Sequence, residues 1–343
     1  IRFRLTGVPG TDPSDASGTN LFDVRRGNWS RETLNALGVP PDWLPPVADS
    51  AAVSGDVAKQ SASRTGLPAG VPVVTGASDQ AAAAIGCGVV EPGTLAIILG
   101  TSAVVSAASP DAVIDPSGAF HTFCHALPGT WQIMGGVLSA GGAVQWYRDK
   151  IAAESVDGYA AILDDARAVS PGADGLIFLP YLTGERAPHN DPQARGGWIG
   201  LTARHDRRHL ARAVLEGVCF ALRQLVERIE ETGPRASTIR VAGGGVRGGL
   251  WLDILASMLA RPVTPVATPD ASAQGAAMLA IAGLTGAHLE SLAADWVRAE
   301  EPICPRPGDV DYYDQMYAIF SALYPATRQA MHRLSAIDRN QAE

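Results

Sequence analysis

The stretch VPVVTGASDQAAAAIGCGVVEPGTLAIILGTSAVV, residues 71–105, decides the fold of this chain. It predicts an apolar strand, a sharp turn and a helix of small residues over 79–87. Two further apolar strands follow over 94–99 and 102–107. The alternation of strand, helix and strands with glycine-containing turns is typical of an α/β protein.

Both turns of this stretch carry groups suited to chemistry. Asp79 places a carboxylate at the start of the helix, and Gly100, Thr101 and Ser102 offer backbone amides and two hydroxyls between two strands. A carboxylate suits accepting a proton, and a turn of exposed amides and hydroxyls suits binding a phosphate. The stretch therefore predicts two halves of one site, although the second turn by itself also fits an ordinary β-hairpin.

Downstream, successive strands give way to alternating helices and strands. The predicted elements are strands over 120–126 and 131–137, a helix from the Gly-rich turn 139–142 to 153, a helix over 158–169, a strand over 176–180, a helix over 208–232, a strand over 239–242, a helix over 249–260, a strand over 263–266, and helices over 272–285 and 311–333. Adjacent strands followed by alternating units predict a mixed sheet with helices on both faces.

The residues before 86 read as part of a separate domain. Segment 11–28 is polar and Gly-rich and predicts a structured loop, and Ser30 is predicted to cap a short helix. The chain begins with Ile1, and IRFRLTG has the pattern of a helix end closed by Gly7. We therefore expect an N-terminally truncated chain.

Composition excludes several classes of function. The 343 residues carry a net charge of −8 and no Lys/Arg block, which argues against nucleic acid and anionic membrane surfaces as partners. Apolar runs are too short for a membrane span, and the signal-peptide pattern is absent. The four cysteines are scattered and the histidines form no ligand pattern. We expect buried, reduced thiols, no protein-held metal site and a cytoplasmic location.

Two further glycine-rich turns are candidate ligand sites. Gly243-Gly244-Gly245 lies between a strand and a helix but does not match GxGxxG, so a ligand other than a dinucleotide is favoured over a merely tight turn. The turn 139–142 opens a helix that carries Gln145, and close helix packing and ligand binding explain it equally well. In the long loop 183–201, Glu185 and Arg186 predict an internal ion pair rather than a catalytic pair.

Four motifs together resemble the FGGY family of carbohydrate kinases, over nearly the whole chain. They are GASDQAAAAIGCGVVEPGTLAIILGTSAVV, YLTGERAPHNDP, GWIGLTARHDRRHLARAVLEG and AGGGVRGGLW with ASAQGAAMLA. The third fits the second signature pattern of the family. SDASGT (14–19) and GERAPHNDP resemble the xylulokinase branch rather than the glycerol kinase branch.

The resemblance implies an α/β fold of the actin-like, ribonuclease-H-like ATPase type, with two domains of mixed sheets flanked by helices. Residues 1–88 would be the C-terminal part of domain I, on the sugar side, and 89–343 domain II, on the nucleotide side. The final helix is expected to return towards domain I. Because the first phosphate loop and the main sugar-recognition motifs of the family precede Ile1, domain I is expected to be incomplete. The isolated chain is then expected to be inactive and to associate, as a homodimer.

The resemblance also assigns roles to individual residues. Asp79 aligns with the catalytic aspartate, Gln80 with a sugar contact, Gly100, Thr101 and Ser102 with the second phosphate loop, Gly141 and Gln145 with nucleotide contacts, and Gly244, Gly245 and Gly248 with the turn along the nucleotide base. Relatives carry Ser or Asn at the position of Gly248, so one contact is expected to be lost. The Asp79 carboxylate also suits a simple helix N-terminus, but the four alanines that follow are expected to leave open space around it.

The reaction that follows from this resemblance is transfer of the γ-phosphate of ATP, with Mg²⁺, to D-xylulose to give D-xylulose 5-phosphate. Three alternatives stay open. The acceptor is another polyol or ketose, such as glycerol or ribulose; the protein is an actin- or chaperone-like ATPase acting on protein partners; or it is a non-catalytic binding remnant.

Overall fold

The computed structural model describes residues 1–152, 158–233, 235–268 and 270–339. The first 86 residues form α1 (Arg2–Thr6), α2 (Pro13–Ser17), β1 (Phe22–Asp23), β2 (Asn28–Trp29), α3 (Arg31–Leu37), β3 (Val53–Asp56), α4 (Lys59–Thr65), β4 (Pro72–Val74) and α5 (Asp79–Gly86). As predicted, α1 ends at Gly7, and the Ser30 hydroxyl accepts a hydrogen bond from the amide of Thr33 at the start of α3. Segment 11–28 is more regular than the predicted loop, because it contains α2 and the β1–β2 pair.

The remaining residues form the larger part of the fold. In chain order the elements are β5 (Thr94–Leu99), β6 (Ala103–Ser109), β7 (His121–Cys124), β8 (Trp131–Val137), α6 (Gly141–Lys150), α7 (Gly158–Arg167), β9 (Ile177–Leu179), β10 (Gly197–Ile199), α8 (Arg207–Glu230), β11 (Thr238–Gly243), α9 (Leu250–Leu259), β12 (Thr264–Pro265), α10 (Ala271–Thr285), α11 (Leu289–Trp296) and α12 (Pro307–Arg339). Helix α6 ends at Lys150, and its predicted end at residue 153 lies outside the described residues.

Six strands form one mixed sheet in the order β12-β11-β5-β6-β8-β7. Strand β11 runs parallel to β5 and β12, and the other neighbours are antiparallel. In β5, Leu95, Ile97 and Leu99 on one face and Ala96 on the other are each at most 1% exposed, as expected for a continuous apolar run in a central strand covered on both faces. The predicted mixed sheet is confirmed.

Helix α8 covers one face of this sheet and carries a buried charge cluster. The Arg212 guanidinium donates to the Glu216 carboxylate from Nε at 2.6 Å, and the Tyr313 hydroxyl of α12 donates to the same oxygen at 2.8 Å. The backbone amide of Gly172 also donates to it at 2.9 Å. Glu216, next to the end of the motif GWIGLTARHDRRHLARAVLEG, therefore ties α8 to α12 and to the turn before β9.

The alanines that follow Gln80 have a packing role in addition to the predicted one. Ala81–Ala84 are buried, and Ala83 also lines a cavity of about 330 Å³ together with Gln80. A Cβ atom on Gly86 would overlap the carbonyl oxygen of Ala271, and one on Gly275 would overlap that of Ala82. Small residues on both helices thus allow direct contact between the two backbones.

Three other expectations need correction. The final helix α12 makes its main contacts with α8, α9 and β9, and no described element of the first 86 residues is among its main contacts. The long loop 183–201 contains β10, which pairs antiparallel with β9. Cys87, Cys124 and Cys219 are buried, as predicted, but Cys304 is exposed. Within the described ranges, no helix combines the length and apolar character required to cross a membrane.

Candidate active site

The turn between β5 and β6 is a tight hairpin whose carbonyl groups are held by the start of α6. The Gly100 amide donates to the carbonyl oxygen of Ser102 at 2.9 Å, which closes the turn. The amide of Gly141 donates to the carbonyl oxygen of Gly100 at 2.9 Å, and that of Gly142 to Thr101 at 2.8 Å. The turn is therefore a hairpin, and the first amides of α6 also hold it in place.

The side chains of the turn remain available to a ligand. Thr101 and Ser102 are exposed, and neither hydroxyl has a hydrogen-bond partner among the described residues. Hydroxyls on a rigid turn bind an anion without the entropic cost of ordering a loop. The geometry is compatible with the predicted phosphate contact at Thr101.

Close packing explains the glycines at the start of α6. A Cβ atom on Gly141 would lie 2.5 Å from the carbonyl oxygen of Gly100, and one on Gly142 would lie 3.0 Å from that of Thr101. The first distance is shorter than a side chain tolerates, so the hairpin turn requires glycine at 141, whereas at 142 a side chain would fit only if the turn shifted slightly. Gly141 also lines the cavity described below, so both close packing and space for a ligand explain a glycine at this position.

The three glycines after β11 differ from one another. Gly243 has φ +98°, and a Cβ atom there would overlap the carbonyl oxygen of Leu99. A Cβ atom on Gly245 would lie 3.0 Å from the Leu99 side chain. At Gly244 a Cβ atom would meet nothing within 4 Å. Gly243 is thus required by the turn, whereas Gly244 borders open space. Gly248 ends the 3₁₀ turn Gly244–Gly248, and its surroundings fall outside the described residues.

A cavity of about 540 Å³ brings most of the predicted nucleotide contacts together. Its polar rim contains Gly100, Thr101, Gly141, Gln145, Gly244 and Gly245. Its apolar wall contains Leu99, Val144, Tyr159, Ala160, Leu163, Leu215 and Trp251. A largely apolar cleft with a few convergent polar groups is typical of a cofactor or nucleotide site.

A second cavity of about 330 Å³ lies on the other side of the hairpin turn. Gln80, Ser102, Asp270 and Ser272 line it, and Gly100 lines both cavities. The turn therefore separates a space lined by Thr101 from a space lined by Ser102 and the start of α5. This arrangement places the residue next to Asp79 close to the predicted phosphate turn.

Asp79 occupies the first position of α5, and its backbone is held from several directions. The preceding residue, Ser78, caps the helix by accepting a hydrogen bond from the Ala81 amide at 3.2 Å. The Ser272 hydroxyl donates to the Asp79 carbonyl oxygen at 3.1 Å. The Gln132 side-chain amide donates to the carbonyl oxygen of Gln80 at 3.2 Å. The exposed Asp79 carboxylate thus stands on a well-fixed backbone.

The predicted ion pair between Glu185 and Arg186 is wrong. One carboxylate oxygen of Glu185 accepts hydrogen bonds from the backbone amides of Leu138 and Arg186, at 3.1 and 2.8 Å. The Arg186 guanidinium instead contacts the His121 ring. Glu185 is 2% exposed, and its second oxygen has no partner among the described residues. It therefore braces the segment between β8 and α6.

Burial raises the pKa of Glu185 to about 8. A carboxyl whose pKa is raised on folding stabilises the fold when protonated, and this contribution is lost as the pH rises through the folded pKa. We expect the free energy of unfolding to fall by on the order of 3 kcal/mol between pH 5 and pH 8 from this group alone. Urea denaturation at several pH values measures it.

The matched variants for this measurement are Glu185→Gln and, on the exposed α3, Glu32→Gln. Glutamine keeps the acceptor for both backbone amides but cannot ionise. Glu185→Gln should flatten the decline above pH 5, and Glu32→Gln should leave it unchanged. Parallel pH profiles for wild type and Glu185→Gln would contradict the raised pKa.

The apolar wall of the first cavity was not predicted as part of the site. Tyr159 and Leu163 of α7 and Val144 of α6 line it, and the Arg148 guanidinium lies 4.6 Å from the centre of the Tyr159 ring. The only signal in the sequence was two short amphipathic helices after a Gly-rich turn. Such helices do not indicate which residues face a ligand.

Comparison with known proteins identifies the fold as that of one family. The profile of the FGGY family of carbohydrate kinases, C-terminal domain, matches residues 95–284, and that of the N-terminal domain matches residues 1–86. The chain belongs to the FGGY family of carbohydrate kinases. The xylulose kinase of Bacillus subtilis (strain 168) is 32% identical over 341 residues, which are 99% of this chain and 68% of that protein.

A solved structure and a further relative are similar to this FGGY chain as well. A crystal structure described as a xyloylose kinase from Brucella ovis has a TM-score of 0.89 and 35% identity, covering 96% of this chain and 67% of that one. A gluconokinase of Bacillus subtilis (strain 168) is 31% identical over 281 residues, 79% of this chain and 54% of the relative. The predicted actin-like ATPase fold is confirmed, and the family is one of phosphotransferases. The chain spans about two thirds of the length of the xylulose kinase.

Proposed function

We propose that this FGGY kinase transfers the γ-phosphate of ATP to a hydroxyl of D-xylulose, giving D-xylulose 5-phosphate and ADP. The observation that carries the proposal is the hairpin turn 100–102, which borders two cavities, one rimmed by glycines and one reached from the start of α5. The choice of sugar is supported by 32% identity to a xylulose kinase and by the motifs at 14–19 and 184–192.

In the proposed reaction, Asp79 acts as the general base. Its carboxylate accepts the proton of the sugar hydroxyl while the hydroxyl oxygen attacks the γ-phosphorus. The new O–P bond forms as the bond from the γ-phosphorus to the bridging oxygen of ADP breaks, and ADP leaves with the electron pair. Thr101 and Ser102 donate hydrogen bonds to phosphate oxygens on which negative charge increases. Gln80 contacts the sugar.

The first cavity fits ATP in its chemistry. The proposed orientation puts the phosphates at Gly100, Thr101 and Gly141 and the base along Gly244. The space beside Gly244 is open, and because glycine has no side chain the ring of the base can occupy it. The apolar wall suits a nucleobase, and Gln145 suits a hydrogen bond to the ribose or phosphates. Mg²⁺ would enter bound to the phosphates and neutralise part of their charge.

The test is a sugar panel with the protein in the full length that its gene encodes. ADP release coupled to NADH oxidation would be followed with ATP, Mg²⁺ and each of D-xylulose, D-ribulose, glycerol and gluconate. We expect kcat/KM for D-xylulose to exceed that for every other acceptor at least about 10-fold, the discrimination that one well-placed polar contact supports.

The other outcomes separate the alternatives. Preference for gluconate, ribulose or glycerol retains the kinase mechanism and overturns the choice of sugar. ATP turnover that no sugar accelerates favours an ATPase that acts on a protein partner. Binding of ATP without turnover in the full-length protein favours a non-catalytic relative.

A further inference from the structure

A buried carboxylate at the start of α2 is connected to the residue before Asp79. Asp12, the N-cap of α2, is 3% exposed. Its carboxylate accepts hydrogen bonds from the Ser14 hydroxyl at 2.6 Å, the Ser50 hydroxyl at 2.8 Å, the Ser14 amide at 2.9 Å and the Asp15 amide at 3.2 Å. All four partners are donors, the arrangement that an ionised carboxylate accepts.

The Ser14 hydroxyl passes this interaction on to the loop that carries Asp79. It donates its proton to Asp12 and accepts a hydrogen bond from the Ser78 amide at 2.9 Å. Donation to a carboxylate makes a hydroxyl oxygen a better acceptor, so the two hydrogen bonds strengthen each other. Ser78 in turn caps α5, so the hydrogen-bonded chain ends at the residue bonded to Asp79.

A second connection reaches the same loop through Ser50. The Ser50 hydroxyl donates to Asp12, and its backbone carbonyl oxygen accepts a hydrogen bond from the Gly76 amide at 2.9 Å. The carboxylate of Asp12 therefore holds two separate groups that bind the segment 76–78. Ser14 and Ser50 are 1% and 2% exposed, so water does not replace these contacts readily.

We propose that Asp12 and Ser14 are positioning residues for phosphoryl transfer. They fix the backbone at Ser78 and thereby hold the Asp79 carboxylate at the distance from the sugar hydroxyl that proton transfer requires. The inference rests on the proposed role of Asp79. Asp12 touches neither cavity, and its effect on the reaction runs through the backbone of α5.

The decisive variant is Ser14→Ala, because it separates the two roles of Asp12. The backbone amides of Ser14 and Asp15 still cap α2 in this variant, whereas the link to Ser78 is lost. The matched control is Ser30→Ala, which removes a helix-capping hydroxyl from α3, where the structure shows no contact with the loop of Asp79.

We expect Ser14→Ala to lower kcat for the preferred sugar about 10- to 100-fold, since a misplacement of about 1 Å costs that much. The KM for ATP should stay within about twofold because the first cavity is untouched. Amide hydrogen exchange in a peptide covering 75–81 should become faster. Ser30→Ala should keep the wild-type kcat and the wild-type exchange of this peptide. In Asp12→Asn the side-chain NH₂ group would face hydroxyl and amide groups that are themselves donors. This variant should lower kcat at least as much as Ser14→Ala.

The contrary results are distinct. If wild type is active and Ser14→Ala keeps kcat within twofold, the positioning role is wrong and the proposed function stands. If Ser14→Ala raises the KM for ATP as much as it lowers kcat, the network supports the fold in general and not Asp79. If the full-length wild type phosphorylates no sugar, the proposed function fails and this inference fails with it.

Discussion

Replacing Asp79 with asparagine is expected to lower kcat for sugar phosphorylation about 10²- to 10⁴-fold, the range that a general base contributes. Asparagine keeps the size of the side chain and suits a helix N-terminus, so α5 and its cap at Ser78 should persist. The lost property is the capacity to accept the sugar proton. Steady-state kinetics of the full-length protein give kcat, and calorimetric titration with ATP gives the nucleotide affinity, which should not change.

The control for this variant is Asp42→Asn, which neutralises an exposed carboxylate in the same third of the chain. It should leave kcat and ATP affinity at wild-type values. Retention of kcat within threefold in Asp79→Asn would remove the general base from the mechanism. A large loss of ATP affinity without a change in kcat would reassign Asp79 to nucleotide binding.

The largest effect on stability is expected at the buried charge cluster of α8. Arg212 is 5% exposed and Glu216 is 1% exposed. Replacing Arg212 with methionine leaves the Glu216 carboxylate in the core without its positive partner, and breaking a buried pair in this way costs about 3–5 kcal/mol. Denaturation in guanidinium chloride at pH 7 should show this as a lower midpoint with an unchanged slope.

A second ion pair of the same helix provides the control. Arg208 and Asp206 are also 2.6 Å apart, but both side chains are about half exposed to water. Arg208→Met should therefore leave the midpoint close to that of wild type. The double variant Arg212→Met/Glu216→Leu removes both charges and should recover much of the loss. Equal midpoints for Arg212→Met and Arg208→Met would contradict the buried-pair explanation.

The sequence predicts the long elements of the fold well because their signals are local. β5 and β8 have the predicted bounds, since each is an apolar run ended by turn residues. Helix α8 lies within two residues of its predicted bounds, although residues 211–222 are buried on every side and not along one apolar face alone. Strand β10 has only three residues in a turn-rich loop, and it exists because β9 lies beside it. Such a strand has no local signal.

The candidate site also contains residues that the sequence reveals and residues that it does not. The glycines and hydroxyls of its rim belong to short motifs and are visible in the sequence. Tyr159 and Leu163 of its apolar wall are not, because their position depends on how α7 packs. The helix start at Asp12-Pro13 has a visible signal, an N-cap residue before proline, but nothing in the sequence links it to Ser78. The hydrogen bond that makes this link joins Ser14 and Ser78, which are 64 positions apart.

The contact between α5 and α10 has a consequence for how the molecule moves. Backbones that touch at Gly86 and Gly275 cannot slide or rotate past each other without steric overlap. We therefore expect a displacement of α5 to carry α10 along with it. In a closing motion, the residues that move together with Asp79 would then not be limited to its neighbours in the sequence. A segment close to 200 residues downstream would then move together with the Asp79 carboxylate.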